Sequence, residues 1–232
     1  AVVTKGGWYR YADVMRGCRA VARFLLDDLH LCGGERIALM LDNGPEYLAA
    51  YYGILAAGAV LVPLPPTIED LRLQRILHAC NVRVVLTSSR IALRHGLAES
   101  GDRVAISLRD GSESDARRGE PVRVDGQSLA MIMFTSGSSG EPKGVMLSDR
   151  NILSNAQSIL DYLPITRRDR ALALLPFYHA YGHSVMQTHL LAGATAVLVG
   201  CAGGLGGGDY SRDQTRGVQE VQMGVVESVR DV

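Results

Sequence analysis

Short, mostly apolar runs alternate with helix-like segments along this chain, and this alternation restricts the fold more than any other feature. The runs cover residues 37–41, 59–62, 82–86 and 104–108 and are rich in valine, isoleucine and leucine. Most of the intervening stretches place apolar residues three and four positions apart, which is helical spacing. Buried strands joined through helices are typical of parallel sheets that are covered on their faces. The sequence therefore predicts an α/β fold with mostly parallel sheets flanked by helices.

The ends of the helical segments are marked by residue type. The first helix, through Val14 to Leu29, is predicted as the first element of the chain. A second helix begins with Pro45 at a favoured first position and stops at Gly58. A third is predicted to start at Thr67, because Asp70 follows three residues later and the pair resembles a capping box.

A polar segment divides the chain in two. Residues 109–128 are dense in Arg, Asp, Glu, Gly and Ser, which is typical of an exposed connector. We therefore expect a first α/β lobe at 1–108, the connector at 109–128, a second lobe at 129–199 and an atypical glycine-rich tail at 200–232.

The second lobe repeats the alternation of strands and helices. Ser148 is predicted to be the N-cap of its first helix, with Asp149 as a favourable charge in the first turn. The pattern predicts strands at 129–134, 145–147, 172–175 and 194–199, and a further helix at 184–192.

Composition argues against several classes of protein. Lys plus Arg and Asp plus Glu both number 24, so no excess charge favours a nucleic-acid partner. The 4 cysteines form no C-x-x-C pair, which favours reduced thiols in a cytoplasmic protein. The uncharged stretch Leu190–Gly208 is too rich in glycine for a membrane-spanning helix. We therefore expect a protein without a membrane span.

The segment Thr135–Gly144 (TSGSSGEPKG) carries the chemistry. Its glycines let successive backbone N–H groups converge on an anion, and its hydroxyl groups are further donors. Lys143 adds a full positive charge. A Walker loop is excluded because Pro142 precedes Lys143 and no Ser or Thr follows it. The spacing G-x-G-x-x-G of the dinucleotide fingerprint is also missing. The segment is thus predicted to be a phosphate loop of another type.

This loop resembles that of the AMP-forming acyl-CoA synthetase, adenylation-domain and luciferase superfamily. Three further stretches are similar to the same family: Trp8–Val14, Ile54–Pro63 and Leu175–Gly182. Within them, Arg10 stands where the family usually has a small hydroxyl residue, and beyond them Asp149 stands where histidine is usual. The resemblance covers roughly residues 1 to 199, and it implies the N-terminal part of an adenylate-forming ligase.

The resemblance implies an ATP-dependent activation of a carboxylic acid, fatty or related, as an acyl-adenylate. The acyl group would pass to coenzyme A or to the phosphopantetheine of an acyl carrier protein. Lys143 and His179 would be the catalytic residues, with His179 beside the carboxylate or acyl pocket. Thr135 would also reach Mg²⁺. The residues expected to hold the phosphates are Thr135, Ser136, Gly137, Ser138, Ser139, Gly140 and Lys143.

Alternatives remain open at this point. His179 and His183 have the i, i+4 spacing of some zinc helices, although the glutamate base of that motif is missing. The chain is alternatively an amino-acid adenylation domain, against which Phe177-Tyr178-His179 argues, or a non-catalytic nucleotide- or acyl-binding module. The family segments that would follow Val199 are not recognisable. We therefore expect a truncated chain that gives little or no turnover alone, with a dispensable tail.

Overall fold

The structure, a computed structural model, describes residues 2–97, 104–107, 126–135 and 143–198, with the backbone alone at 104–107. Two sheets and the helices that cover them make up this part of the chain. The strands are β1 (Val2–Thr4), β2 (Gly7–Tyr9), β3 (Arg36–Met40), β4 (Val60–Pro63), β5 (Val84–Thr87), β6 (Val104–Ser107), β7 (Leu129–Thr135), β8 (Lys143–Ser148), β9 (Arg170–Ala173) and β10 (Thr195–Leu198). The helices are α1 (Tyr11–Arg23), α2 (Pro45–Ala56), α3 (Asp70–Ala79), α4 (Ser89–Arg94), α5 (Asp149–Tyr162) and α6 (Ala180–Leu191).

The larger sheet confirms the predicted fold class. Its strand order is β6-β5-β3-β4-β7-β8, and every neighbouring pair is parallel except β7 with β8. Strands β4 and β5 are buried along their whole length, and β3 is buried after Arg36. Burial on both faces explains why these strands are nearly continuous apolar runs in the sequence.

The smaller sheet has the order β2-β1-β10-β9, and it corrects one prediction. The first element is not a helix, because the hairpin of β1 and β2 precedes α1. β1 pairs in parallel with β10 through Val2 and Ala196, nearly two hundred residues further along the chain. Two three-residue strands give no periodic signal, and they are stabilised by this distant partner.

Helices α1 and α2 pack closely because small residues line their contact. A Cβ atom at Gly53 would lie 2.6 Å from the Cβ atom of Val21, and one at Gly17 would lie 2.8 Å from that of Ala49. Helix α1 continues into a π-helical segment, Phe24–Asp28. The buried side chains of both helices join one core with β3, β4 and part of the smaller sheet.

The helix boundaries confirm some predictions and correct others. Ser148 is the N-cap of α5, and its hydroxyl accepts from the backbone N–H of Asn151. In contrast, α3 begins at Asp70 with Glu69 as its N-cap, so the predicted start at Thr67 is wrong. Helix α6 begins at Ala180 rather than at 184, because it continues through Gly182. Helix α4 is not among the elements that the sequence predicts.

The lobe boundaries stay a prediction, since residues 108–125 and 199–232, which hold most of the predicted connector and the tail, lie outside the described residues. Strands from before and after the connector pair in both sheets, β4 with β7 and β1 with β10. None of the helices in the described ranges combines the length and apolar character needed to cross a membrane.

Candidate functional site

The hairpin of β7 and β8 carries the predicted phosphate loop. The two strands are antiparallel, and their last pair joins Thr135 with Lys143. The hydroxyl of Thr135 donates to the carbonyl oxygen of Lys143 at 3.5 Å. Both residues are exposed. We call this pair the loop neck. The other residues expected to hold phosphates lie outside the described residues, and their roles stay predictions: Ser136, Gly137, Ser138, Ser139 and Gly140.

The loop neck lies at the edge of the sheet where α/β proteins bind ligands. Strands β3, β4 and β7 run parallel, so their last residues Met40, Pro63 and Thr135 share one edge. Open α/β sheets bind ligands outside the carboxyl ends of their strands. The topology thus places Thr135 and Lys143 at the edge where a bound nucleotide is expected.

Close packing fixes β8 against β7 just beyond the neck. A Cβ atom at Gly144 would lie 2.8 Å from Cγ2 of Ile132 and 3.2 Å from Cζ of Phe134. Contacts this short are not tolerated by real Cβ atoms without displacement of a neighbour. Glycine at this position therefore lets β8 lie close against β7. This packing positions the neighbouring Lys143.

Arg72 brings another positive charge to the loop neck. Its Nη2 donates to the carbonyl oxygen of Thr135 at 3.3 Å, although the two residues are 63 positions apart in the chain. No local pattern in the sequence singles out Arg72. The contact exists because β4, which leads into α3, is the parallel neighbour of β7.

His179 occupies the N-cap position of α6, on the loop that follows β9. Its backbone is extended, its N–H donates to the carbonyl of Pro176 at 3.1 Å, and its carbonyl accepts from the N–H of His183 at 2.8 Å. The imidazole lies against the ring of Tyr178, with 4.6 Å between centroids. Partial burial lowers the pKa of His179, although the residue stays solvent-accessible. Burial thus favours the neutral ring over the protonated one.

Asn43 ties the loop of His179 to the carboxyl edge of the larger sheet. Its amide nitrogen donates to the carbonyl of Leu175, and its amide oxygen accepts from the N–H of Phe177, both at 2.9 Å. Asn43 follows β3, so these bonds hold the loop near the same edge as the loop neck. No hydrogen bond or ion pair joins His179 to Thr135 or Lys143, all of which are described. The local sequence Asp42-Asn43-Gly44 is typical of a turn and does not indicate this contact.

His183 is a buried structural residue. Its Nε2 lies 2.9 Å from the hydroxyl of Tyr51, and the hydroxyl of Tyr52 donates to the neighbouring Gln187 at 2.9 Å. Burial lowers the pKa of His183 to about 4, so the ring is neutral at physiological pH. The described ranges contain no group of at least 3 His, Cys, Asp or Glu residues that is suited to a metal ion. Within these ranges the zinc alternative therefore has no support.

Comparison with known proteins decides the family. The model of the AMP-binding enzyme family matches residues 1–203. The chain belongs to the AMP-binding enzyme family. The resemblance seen in the phosphate loop is thereby confirmed.

Curated relatives of the AMP-binding chain come from two branches of the family. A CoA ligase of Gibberella moniliformis is 29% identical over 202 residues, covering 82% of this chain and 34% of the relative. A linear gramicidin synthase of Brevibacillus parabrevis is 30% identical over 203 residues, covering 85% and 2%. A 4-hydroxyphenylalkanoate adenylyltransferase of Mycobacterium tuberculosis is 32% identical over 170 residues, covering 66% and 27%. The chain therefore spans about a third or less of the length of these relatives.

Solved structures show the same fold. VinN in complex with 3-methylaspartate superposes with a TM-score of 0.76 at 26% identity, covering 86% of this chain and 56% of VinN. ATP-bound MatB from Rhodopseudomonas palustris superposes with a TM-score of 0.75 at 25% identity, covering 85% and 41%. The predicted fold class is confirmed by both the topology and these neighbours.

Proposed function

We propose that this AMP-binding chain supplies the polyphosphate site of an enzyme that uses ATP to activate a carboxylic acid. The acid, fatty or related, forms an acyl-adenylate, and the acyl group then passes to the thiol of coenzyme A or of a carrier protein. One observation carries the proposal: Thr135 and Lys143 close a glycine- and serine-rich loop at the carboxyl edge of a parallel sheet. ATP-bound MatB, which shares this fold, supports ATP as the nucleotide.

The chemistry needs positioning and charge neutralisation more than covalent participation by the protein. A carboxylate oxygen attacks the α-phosphorus of ATP, and pyrophosphate leaves with the electrons of the broken P–O bond. Lys143 offsets the negative charge of the polyphosphate, and the loop supplies N–H and hydroxyl donors. Holding the leaving group in this way lowers the barrier, because its charge grows in the transition state.

The hydroxyl of Thr135 suits a magnesium ion. It is a hard oxygen ligand on an exposed residue, and because it donates its proton to the carbonyl oxygen of Lys143, its own lone pairs are available. Bound Mg²⁺ would neutralise phosphate charge during the displacement. Thr135 would hold it from the neck while Lys143 contacts the phosphates from the opposite strand.

His179 suits a place beside the acid. Its lowered pKa favours the neutral imidazole, which offers one N–H donor and an apolar surface and forms no ion pair with the carboxylate that must attack. The hydrogen bonds of Asn43 to the loop that precedes His179 keep this loop near the carboxyl end of the larger sheet, where the loop neck also lies. We therefore assign His179 to the wall of the carboxylate or acyl pocket.

Two assays, pyrophosphate exchange and nucleotide binding, separate two other functions from this one. The relatives include a gramicidin synthase as well as a CoA ligase, so an amino-acid adenylation domain is the second candidate. Pyrophosphate exchange by the whole protein with fatty, aromatic and amino acids reports which acid is activated. Nucleotide binding without any exchange favours a non-catalytic binding module. For residues 1–232 alone we expect exchange near background, and robust exchange would contradict the expected loss of turnover.

Replacing Lys143 with alanine is expected to weaken ATP binding by about ten- to a hundredfold, the effect of losing one charge-assisted contact. Calorimetric titration of residues 1–232 with MgATP measures the change. The chain offers a matched control, because Lys5 and Lys143 are its only lysines and Lys5 is an exposed residue between β1 and β2. Lys5→Ala should bind ATP like the unaltered chain. Equal affinities of both variants would remove Lys143 from the site.

A further inference from the structure

We propose that Arg72 is a further nucleotide-binding residue, which positions Thr135 and presents a second cation to the polyphosphate beside Lys143. The inference rests on the proposed function. It starts from the one hydrogen bond that joins α3 to the loop neck within the described residues, from Nη2 of Arg72 to the carbonyl oxygen of Thr135 at 3.3 Å.

The geometry of a guanidinium explains how one side chain serves both purposes. Arginine carries five N–H donors in a planar fork and keeps its charge at all physiological pH values. Its contact with Thr135 uses the Nη2 end, and Arg72 has no other hydrogen bond or ion pair to any residue that the structure describes. The remaining donors and the full charge therefore lie next to the neck, where they are available to phosphate oxygens.

Helix stability does not account for an arginine at this position. Arg72 lies in the first turn of α3, close to the positive end of the helix dipole, where acidic residues are favoured and cations are not. Asp70 in the same turn follows the rule. Arg72 thus occupies a position that the helix dipole disfavours for a cation. We attribute this to its contact with the carbonyl oxygen of Thr135, the last residue of β7.

The first turn of α3 is held in place by His95. The imidazole is only 3% exposed, its Nδ1 lies 2.5 Å from a carboxylate oxygen of Asp70, and its Nε2 lies 3.0 Å from the carbonyl oxygen of Pro66. These bonds join the end of α4, the start of α3 and the turn after β4. Arg72 thus extends from an anchored turn, which is what a positioning residue needs.

The test distinguishes the effect of removing the positive charge of Arg72 from an effect on the local structure around Thr135. We expect Arg72→Ala to weaken binding of MgATP to residues 1–232 by about tenfold at low salt, the effect of one charge-assisted contact. The dependence of that affinity on salt concentration should also become shallower, because a cation facing the phosphates has been removed. Arg72→Lys should recover most of the salt dependence but only part of the affinity, since an ammonium group does not reproduce the fork. Arg94→Ala, at an exposed arginine of α4, is the matched control and should behave like the unaltered chain.

The outcomes separate this inference from the proposed function. If the unaltered chain binds MgATP and Arg72→Ala binds it equally well, Arg72 is not part of the site and the proposed function stands. If Arg72→Ala loses affinity by the same factor at every salt concentration, the residue acts only through structure and the second-cation role is wrong. If the unaltered chain binds no MgATP, the proposed function fails for this chain, and the role of Arg72 fails with it.

Discussion

Gly182→Ala is expected to destabilise the chain by about 3 kcal/mol, near the upper end for overpacking a well-ordered site. A Cβ atom at Gly182 would overlap the carbonyl oxygen of Pro176 and would lie 2.9 Å from that of Leu175. Both are backbone atoms, so no side chain can rotate away to relieve the contact. The loop would have to shift, and its hydrogen bonds to Asn43 would lengthen or break.

Urea denaturation of residues 1–232 measures this effect as a lower midpoint at an unchanged slope. Gly33→Ala is the matched control, because the nearest atom to a Cβ there is 3.9 Å away and its backbone needs no left-handed conformation. If both variants unfold at the same urea concentration, the loop that carries His179 is not held against α6 in the way the structure shows.

Acidification is expected to remove about 3 kcal/mol of stability through His183 alone. The pKa of His183 is about 4 in the folded chain and 6.5 in the unfolded chain, a difference of 2.5, and each pKa unit corresponds to about 1.36 kcal/mol. A lowered histidine pKa means that the unfolded chain binds the extra proton. The contribution is therefore complete above pH 6.5 and is lost as the pH falls from 6.5 to 4.

The free energy of unfolding, measured between pH 7 and pH 4, tests this value. His183→Gln keeps a polar partner for Tyr51 and removes the titrating group. Between pH 7 and pH 4 the free energy of unfolding of this variant should therefore fall by about 3 kcal/mol less than that of the unaltered chain. His78→Gln, at an exposed histidine of α3, should follow the unaltered chain. Identical pH dependence of the unaltered chain and His183→Gln would show that burial of this ring is not what makes the fold acid-sensitive.

The parallel core of the larger sheet can be predicted from sequence because its signals are local. Strands β3, β4 and β5 are nearly continuous apolar runs, and Pro45 and Gly58 mark the ends of α2 and its turn. Each of these features depends on residues within a few positions of one another. The phosphate loop can be recognised for the same reason, since its glycines, hydroxyls and lysine are contiguous.

The features that the sequence does not predict are those made by distant partners. The contact of Arg72 with Thr135 spans 63 positions, and that of Tyr51 with His183 spans 132. Strand β1 depends on β10 in the same way. Periodicity reports which face of a segment is buried but not which segment covers it. The predicted start of α3 is wrong because Thr67 and Asp70 fit a capping pattern, whereas Glu69 is the N-cap.

Amide hydrogen exchange of residues 1–232 with and without MgATP tests the central claim most directly, namely that the loop neck holds the polyphosphate. We predict that ATP slows exchange in peptides covering 129–148, which carry β7, β8 and the segment between them. Peptides from α5 and from the hairpin of β1 and β2 should exchange at unchanged rates, since these elements do not form the neck. Protection confined to other segments, or none at a saturating ATP concentration, would contradict the placement of the nucleotide at Thr135 and Lys143.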